Sequence, residues 1–206
     1  MSSRLAGVIL AGGLSHRMGG EDKFLKICAD KPLIAYAIDC LKSQIDHLAL
    51  NINGDYPQLT EFLLPFIADT IPGHLGPLAG ILSGMEWAHT LSPAVSYIVT
   101  VPSDTPFLPK DLCRRLCEAK GSQTQIVLAA SKGKVHATVG LWSIHLKADL
   151  YKALVHGNVR KVVTWAQNYK PVIVEFPVSK IDPFFNINTQ RDLMRAARSF
   201  TAGHVE

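Results

Sequence analysis

The sequence predicts one α/β domain built on a mostly parallel, mixed central sheet with helices on both faces. Three observations predict it. Short apolar runs alternate with stretches of helical periodicity through the first half of the chain. The first run, Leu5–Ala11, is continuously apolar and ends in Gly12-Gly13, the pattern of a central parallel strand covered on both sides. The chain has 206 residues, 48% hydrophobic and 18% charged, enough to bury a core without staples and too apolar for a disordered segment. No repeat or linker-like stretch divides it, so residues 1–206 are read as one domain.

The elements follow in order. After the Leu5–Ala11 strand, Pro32 opens a helix whose Leu33, Ile34, Ala37, Ile38 and Leu41 share one face. His47–Asn53 alternates as a strand, and 57–64 reads as a short helix. Pro77–His89 is a helix with Leu78, Ile81, Leu82 and Met85 on its apolar face. Ser96–Val101 is a strand stopped by Pro102, and 109–119 a helix. Ile126–Ala130 and Val135–Ile144 form two strands around the turn Lys132-Gly133-Lys134, which makes the sheet mixed. Helices over 146–155 and 159–167, a strand over 172–176 and a helix over 189–198 complete the chain.

The net charge of +4 is mild, but its distribution is uneven. Residues 1–109 hold 6 Lys/Arg against 10 Asp/Glu, a net of −4; residues 110–206 hold 15 against 7, a net of +8. A basic half points to an anionic partner, or simply to a solvated basic surface. Trp142 and Trp165 are too sparse among the basic residues to suggest a nucleic-acid surface. Cys28, Cys40, Cys113 and Cys117 form no CxxC pair. Cys113 and Cys117, four apart on a helix, lack companion ligands and read as small buried residues. Nothing demands disulfides, so a cytoplasmic setting is expected. Arg4 and the uncharged run Leu5–Ser15 superficially resemble a secretory leader, but the adjacent glycines and the lack of a cleavage site favour a strand. No run approaches the roughly 18 apolar residues of a membrane span, so no membrane partner is expected.

In such sheets ligands bind beyond the carboxyl ends of the strands. The first such loop runs from Leu10 to Lys23 and carries four glycines, Arg17 and Lys23. Glycines let backbone N–H groups approach a phosphate, and the two cations neutralise it. The loop is neither GxGxxG nor a P-loop. At the second strand's end stands Asn51, able to donate and accept toward a base or ribose, while Asn53-Gly54-Asp55-Tyr56 reads as a turn. Asp69 precedes Gly76-Pro77-Leu78-Ala79-Gly80, a loop entering a helix whose N-terminus suits an anion or a base. Asp104, boxed by Pro102 and Pro106, is read as a metal ligand, because one carboxylate with phosphate oxygens and waters commonly holds Mg²⁺ at nucleotide sites. Asn186 and Asn188 project to the same side of an extended segment, for a ligand or a turn.

Taken in order, Leu-Ala-Gly-Gly-x-x-x-Arg-Met-Gly-Gly-x-Asp-Lys at 10–23, Gly-Pro-Leu-Ala-Gly at 76–80, Asp-Thr-Pro-Phe at 104–107 and Asn-x-Asn-Thr at 186–189 resemble the molybdenum cofactor guanylyltransferase family, over nearly the whole chain. The resemblance implies a three-layer nucleotidyltransferase fold and transfer of GMP from GTP to the phosphate of Mo-molybdopterin, with release of pyrophosphate. It implies that Leu10, Ala11 and Gly12 meet the guanine nucleotide through main chain, Lys23 meets the phosphates, Asn51 and Asp69 contact base or ribose, and Asp104 holds Mg²⁺ and the nucleotide. Arg17, Lys23 and Asp104 form the expected catalytic set. Related cytidylyltransferases tend to carry Ala where Gly12 stands, and glycine leaves room for a purine edge. There are two departures: Gln190-Arg191 after the last motif bears on the last helix start rather than the chemistry, and Ser103 before Asp104 is expected to be harmless.

The 1–109 part is thus expected to bind nucleotide and metal, and the 110–206 part the acceptor, with Lys132, Lys134, Arg160 and Lys161 as anion contacts. Transient contact with molybdopterin-handling proteins or molybdoenzymes is also implied. The attacking phosphate monoester has its second pKa near about 6, so no strong base is required. None is evident: no His–Asp pair stands out at the cleft, and His16 reads as a solvent-facing loop residue. A cytidylyltransferase, a sugar-phosphate nucleotidyltransferase and a non-catalytic pterin carrier remain as alternatives.

Overall fold

Strand β1 (Leu5–Leu10) sits at the centre of a seven-stranded sheet, flanked in parallel by β4 (His47–Asn51) and β6 (Tyr97–Pro102). Its side chains alternate across the sheet: Ala6 and Val8 pack into one buried cluster and Ile9 into the other. The computed structural model describes residues 5–12, 22–73, 75–91 and 95–201.

The sheet order is β5-β4-β1-β6-β8-β7-β9. β5 (Phe66–Ile67) extends the parallel block beyond β4. β8 (Lys134–Ser143) runs antiparallel to β6 and to β7 (Ile126–Ser131), and β9 (Val172–Glu175) is parallel to β7. Only β8 opposes the rest, so its first residues share an edge with the carboxyl ends of the other six strands. The β7–β8 hairpin turns through Lys132 and Gly133 alone, at φ 50° and 72°. Two positive φ values are the signature of a tight hairpin turn matched to strand twist. Lys134, expected in the turn, therefore belongs to β8.

Helices α1 (Leu33–Lys42) and α3 (Leu112–Glu118) cover one face; α2 (Pro77–His89), α4 (Lys147–Val155) and α5 (Val162–Ala166) cover the other. The fold is the expected three-layer α/β/α arrangement. Buried Trp142 of β8 stacks on Trp165 of α5 at 6.1 Å, and its indole N–H donates to Thr100 Oγ1 at 2.8 Å. No helix among the described residues is long and apolar enough to cross a membrane.

Some local expectations are corrected. Residues Pro57–Phe62 form a 3₁₀ helix, ended by Leu63 in the left-handed region, rather than an α-helix to 64. Pro32 is the residue before α1, not its first turn, because it also pairs with Ile27 in a small hairpin of β2 (Ile27–Cys28) and β3 (Lys31–Pro32). Two-residue strands carry too little periodicity to be read from sequence. The last helix, α6 (Gln190–Thr201), packs Leu193 and Ala196 with Cys28, Leu33 and Ile187 in a third cluster. Its start is a capping box. The Asp192 amide donates to Thr189 Oγ1 at 3.1 Å, and Asp192 Oδ2 accepts from the Asn188 amide, the Thr189 amide and the Thr189 hydroxyl. Burial pushes the Asp192 carboxyl up, but those donors and Lys23 outweigh it and hold it below the ordinary carboxylate range. Gln190 and Arg191 lie inside this box and leave it intact.

Candidate active site

The first polar constellation stands at the ends of β1 and β4. The Ala11 amide donates to the Asn51 carbonyl at 2.9 Å, and the Leu10 carbonyl accepts from the Ser103 amide at 3.1 Å, which ties the ends of β1, β4 and β6 together. Asn51 is 2% exposed. Its Nδ2 donates to Asp69 Oδ1 at 2.9 Å and to the Ile67 carbonyl at 3.1 Å. Asn53 grips the same aspartate twice: its Nδ2 donates to Asp69 Oδ2 at 2.9 Å, and its Oδ1 accepts from the Asp69 amide at 2.8 Å. The turn reading of Asn53 missed this role, because a partner 16 residues away is invisible to local turn rules.

Two glycines make room for the cluster. A Cβ on Gly12 would stand 3.3 Å from Asn53 Nδ2 and 3.6 Å from Asn51 Oδ1. A Cβ on Gly80 would stand 2.2 Å from Asn51 Oδ1 and 2.9 Å from Leu10 Cδ2. Gly80 is thus what allows α2 to press onto the ends of β1 and β4. Gly76, at φ 79°, turns the chain into α2 with Pro77 at its first helical position.

The second constellation stands at the end of β6. Lys23 forms an ion pair with Asp104 Oδ2, and its Nζ donates to Asn188 Oδ1 at 2.8 Å. A 3₁₀ turn, Lys23–Leu25, carries the lysine; buried Phe24 packs edge-on against Tyr56, whose hydroxyl donates to Asp22 at 2.8 Å. Thr105 Oγ1 donates to Asn186 Oδ1 at 3.2 Å, and the Ile187 amide donates to the Asp104 carbonyl at 3.0 Å. Asn186 and Asn188 therefore both reach this site. Arg17 and His16 lie outside the described residues.

The basic candidates are less gathered. Lys132 and Lys134 are exposed on the β7–β8 hairpin, on the same edge. The Arg160 guanidinium donates to the Leu154 and Val159 carbonyls at 3.0 and 2.9 Å, which spends part of it on one carbonyl in the last turn of α4 and one beyond it. Its own carbonyl lies 3.9 Å from where a Gly76 Cβ would be. Lys161 is exposed. Cys113 is buried and Cys40 half-buried, and desolvation pushes both thiol pKa values up to about 12, far from the thiolate that binds metal. Among the described residues no three His, Cys, Asp or Glu side chains gather around a common point.

The sequence matches the MobA-like NTP transferase domain over residues 7–171. Similar proteins include the molybdenum cofactor guanylyltransferases of Rhodopseudomonas palustris strain HaA2, 45% identical over 92% of this chain and 89% of the relative, and of Bradyrhizobium sp. strain ORS 278, 43% identical over 96% and 93%. The chain belongs to the molybdenum cofactor guanylyltransferase family. It is accordingly a nucleotidyltransferase. Its fold resembles molybdopterin-guanine dinucleotide biosynthesis protein A from Archaeoglobus fulgidus, at TM-score 0.73 and 22% identity over 96% of this chain and 99% of that one. It also resembles a 4-diphosphocytidyl-2C-methyl-D-erythritol synthase from Anaerococcus prevotii, at TM-score 0.71 and 14% identity over 96% of each. The matched domain ends at residue 171, whereas Asn186 and Asn188 of this family member lie beyond it.

Proposed function

We propose that the chain transfers GMP from GTP to the phosphate of Mo-molybdopterin, forming molybdopterin guanine dinucleotide and pyrophosphate. The observation that carries this is the convergence of Lys23, Asp104 and Asn188 beside the Asn51–Asp69–Asn53 cluster, at the carboxyl edge of the sheet. The nucleotide lies over the ends of β1, β4 and β6, and the acceptor over the end of β7 and the start of β8.

A carboxylate only accepts hydrogen bonds. Asp69, held by two asparagines, therefore suits donors: the N–H edge of guanine or ribose hydroxyls. Leu10, Ala11 and Gly12 offer main chain beside it, and the bare Gly12 Cα leaves the space that a methyl would take from the base. Asn51, almost wholly buried, acts by holding Asp69.

The nucleotidyltransferase family generally uses a divalent metal, and Mg²⁺ is the ion assigned here. The donor set fits: Mg²⁺ at nucleotide sites takes one or two carboxylates and completes its shell with phosphate oxygens and waters. Asp104 supplies the carboxylate, and a cation, the Lys23 ammonium, already pairs with it. When bound, the ion neutralises charge on the phosphates. Lys23, held between Asp104 and Asn188, orients the phosphates and offsets charge on the departing pyrophosphate, joined by Arg17. The acceptor phosphate, largely dianionic at neutral pH, is itself the nucleophile.

Incubating the protein with Mg²⁺, Mo-molybdopterin and GTP, CTP or UTP in turn tests the reading. A dinucleotide product is expected with GTP. Equal turnover with CTP would overturn the guanine assignment, and product from a sugar phosphate but not from the pterin would overturn the acceptor.

A further inference from the structure

Away from the lysine–aspartate pair, the same edge carries a second polar chain that the reaction as described does not use. Ser131 ends β7 and is 1% exposed. Its hydroxyl reaches both Asp182 oxygens, at 2.8 and 2.9 Å, and lies 2.7 Å from His136 Nε2. The hydroxyl has one proton, and the carboxylate can only accept, so that proton belongs to Asp182. The serine oxygen is left to accept, and Nε2 must be the donor. This fixes the tautomer: in the neutral ring, Nε2 carries the hydrogen and Nδ1 a lone pair. Nδ1 has no partner among the described residues.

The location is specific. Leu128 pairs with Gly140, but the next residue, Ala129, pairs with His136, so three β8 residues bulge out opposite β7. Such bulges re-aim side chains. The imidazole packs against Phe184 at 4.8 Å between ring centres. Phe184 lies in the strap 182–188, which continues to Asn186 and Asn188 at the lysine–aspartate pair. His136 lies on β8, and Asp104 lies two residues past the end of the neighbouring β6, both beyond the Thr100–Gly140 pair toward the shared edge. Exposed Lys132 and Lys134 on the same hairpin attract an anion.

We propose that His136 is the proton acceptor for the acceptor phosphate, with Ser131 and Asp182 as its positioning residues. The role rests on the reaction proposed above. A monoester that arrives singly protonated gives its P–OH proton to Nδ1. The freed oxygen then forms the bond to the α-phosphorus of GTP, and the bond to the bridging oxygen breaks with its electron pair leaving on pyrophosphate. The imidazolium passes its proton to water, and until then Asp182 stabilises its charge through Ser131. Burial pushes the His136 pKa below its ordinary 6.5; Asp182 and Glu175 pull it up and Lys134 pushes it down. At a given pH more of the ring is therefore in the neutral, accepting form than for an ordinary imidazole.

The test compares kcat/KM for the pterin between the parent and His136→Gln at about pH 6 and about pH 8. Gln can still donate to Ser131 but cannot take up a proton. The loss is expected to be about twofold deeper at the lower pH, where about half of the phosphate still carries its proton. An equal loss at both pH values would show a purely structural histidine and overturn the proposal, as would no loss at all. Ser131→Ala, which keeps the imidazole, is expected to show a shallower loss with the same pH trend; a trend in the opposite sense overturns the relay. NMR of the imidazole nitrogens of the parent gives a readout independent of turnover, with the Nε2–H tautomer expected and the Nδ1–H tautomer contradicting it. If the parent makes no dinucleotide at either pH, the reaction itself has been misread and the proton role falls with it, which His136→Gln failing alone does not imply.

Discussion

The two halves of the active edge are built differently. At the ends of β4, β1 and β6, where the nucleotide is proposed to bind, polar side chains are locked to one another: Asp69 accepts from two asparagines, and Lys23 is shared by Asp104 and Asn188. At the β7–β8 hairpin, which carries exposed Lys132 and Lys134, buried Ser131 links half-buried His136 and Asp182. A preorganised set of side chains spends little free energy on ordering when a ligand arrives, so the half proposed to bind nucleotide suits one defined ligand geometry. Long-range attraction by flexible lysines suits capture of a charged acceptor.

That contrast is easiest to break at Asp104. Asp104→Ala should lower guanylyl transfer by roughly a hundredfold or more, the scale of one lost charge-stabilising group. Turnover near the parent's would remove Asp104 from the chemistry. A subtler break is Gly80→Ala. Its methyl would overlap Asn51 Oδ1, and overpacking of this kind costs about 1–3 kcal/mol, part of it offset by alanine's better helix propensity. A fall in Tm of roughly 2–4 °C, together with a raised KM for GTP, is expected. An unchanged KM for GTP would show that Asp69 does not depend on Asn51. The smallest effect belongs to the other half: Lys132→Glu with Lys134→Glu should raise the pterin KM several-fold, with the effect shrinking as salt is added. Weakened GTP binding in that variant would erase the division of labour.

The parts legible in the sequence are those set by short-range pattern. The apolar runs of β1 and β6 and the periodicity of α1 and α2 place the strand ends, and the strand ends place Lys23, Asn51, Asp69 and Asp104. What stayed hidden depends on contacts distant in sequence. Asn53 looks like a turn residue until Asp69 folds back on it. Ser131, His136 and Asp182 have nothing in common until β7, β8 and the strap converge, which is why no histidine–aspartate pair was evident. The β2–β3 hairpin is too short to carry a periodic signal. Arg160 reads as a free cation in the sequence, yet the structure turns it partly inward to backbone carbonyls.

The strap 182–188 also has a consequence in time. A growing chain emerges amino end first, and its early segments begin to fold before the rest exist. By the time β9 appears, every strand of the sheet, Lys23 and Asp104 have already been made. Asn186, Asn188 and the Asp182 that secures the relay come only afterwards. An interrupted polypeptide would thus own a nearly complete scaffold without the side chains that hold Lys23 and Ser131, so on the reading proposed above guanylyl transfer would report that synthesis had passed the strap.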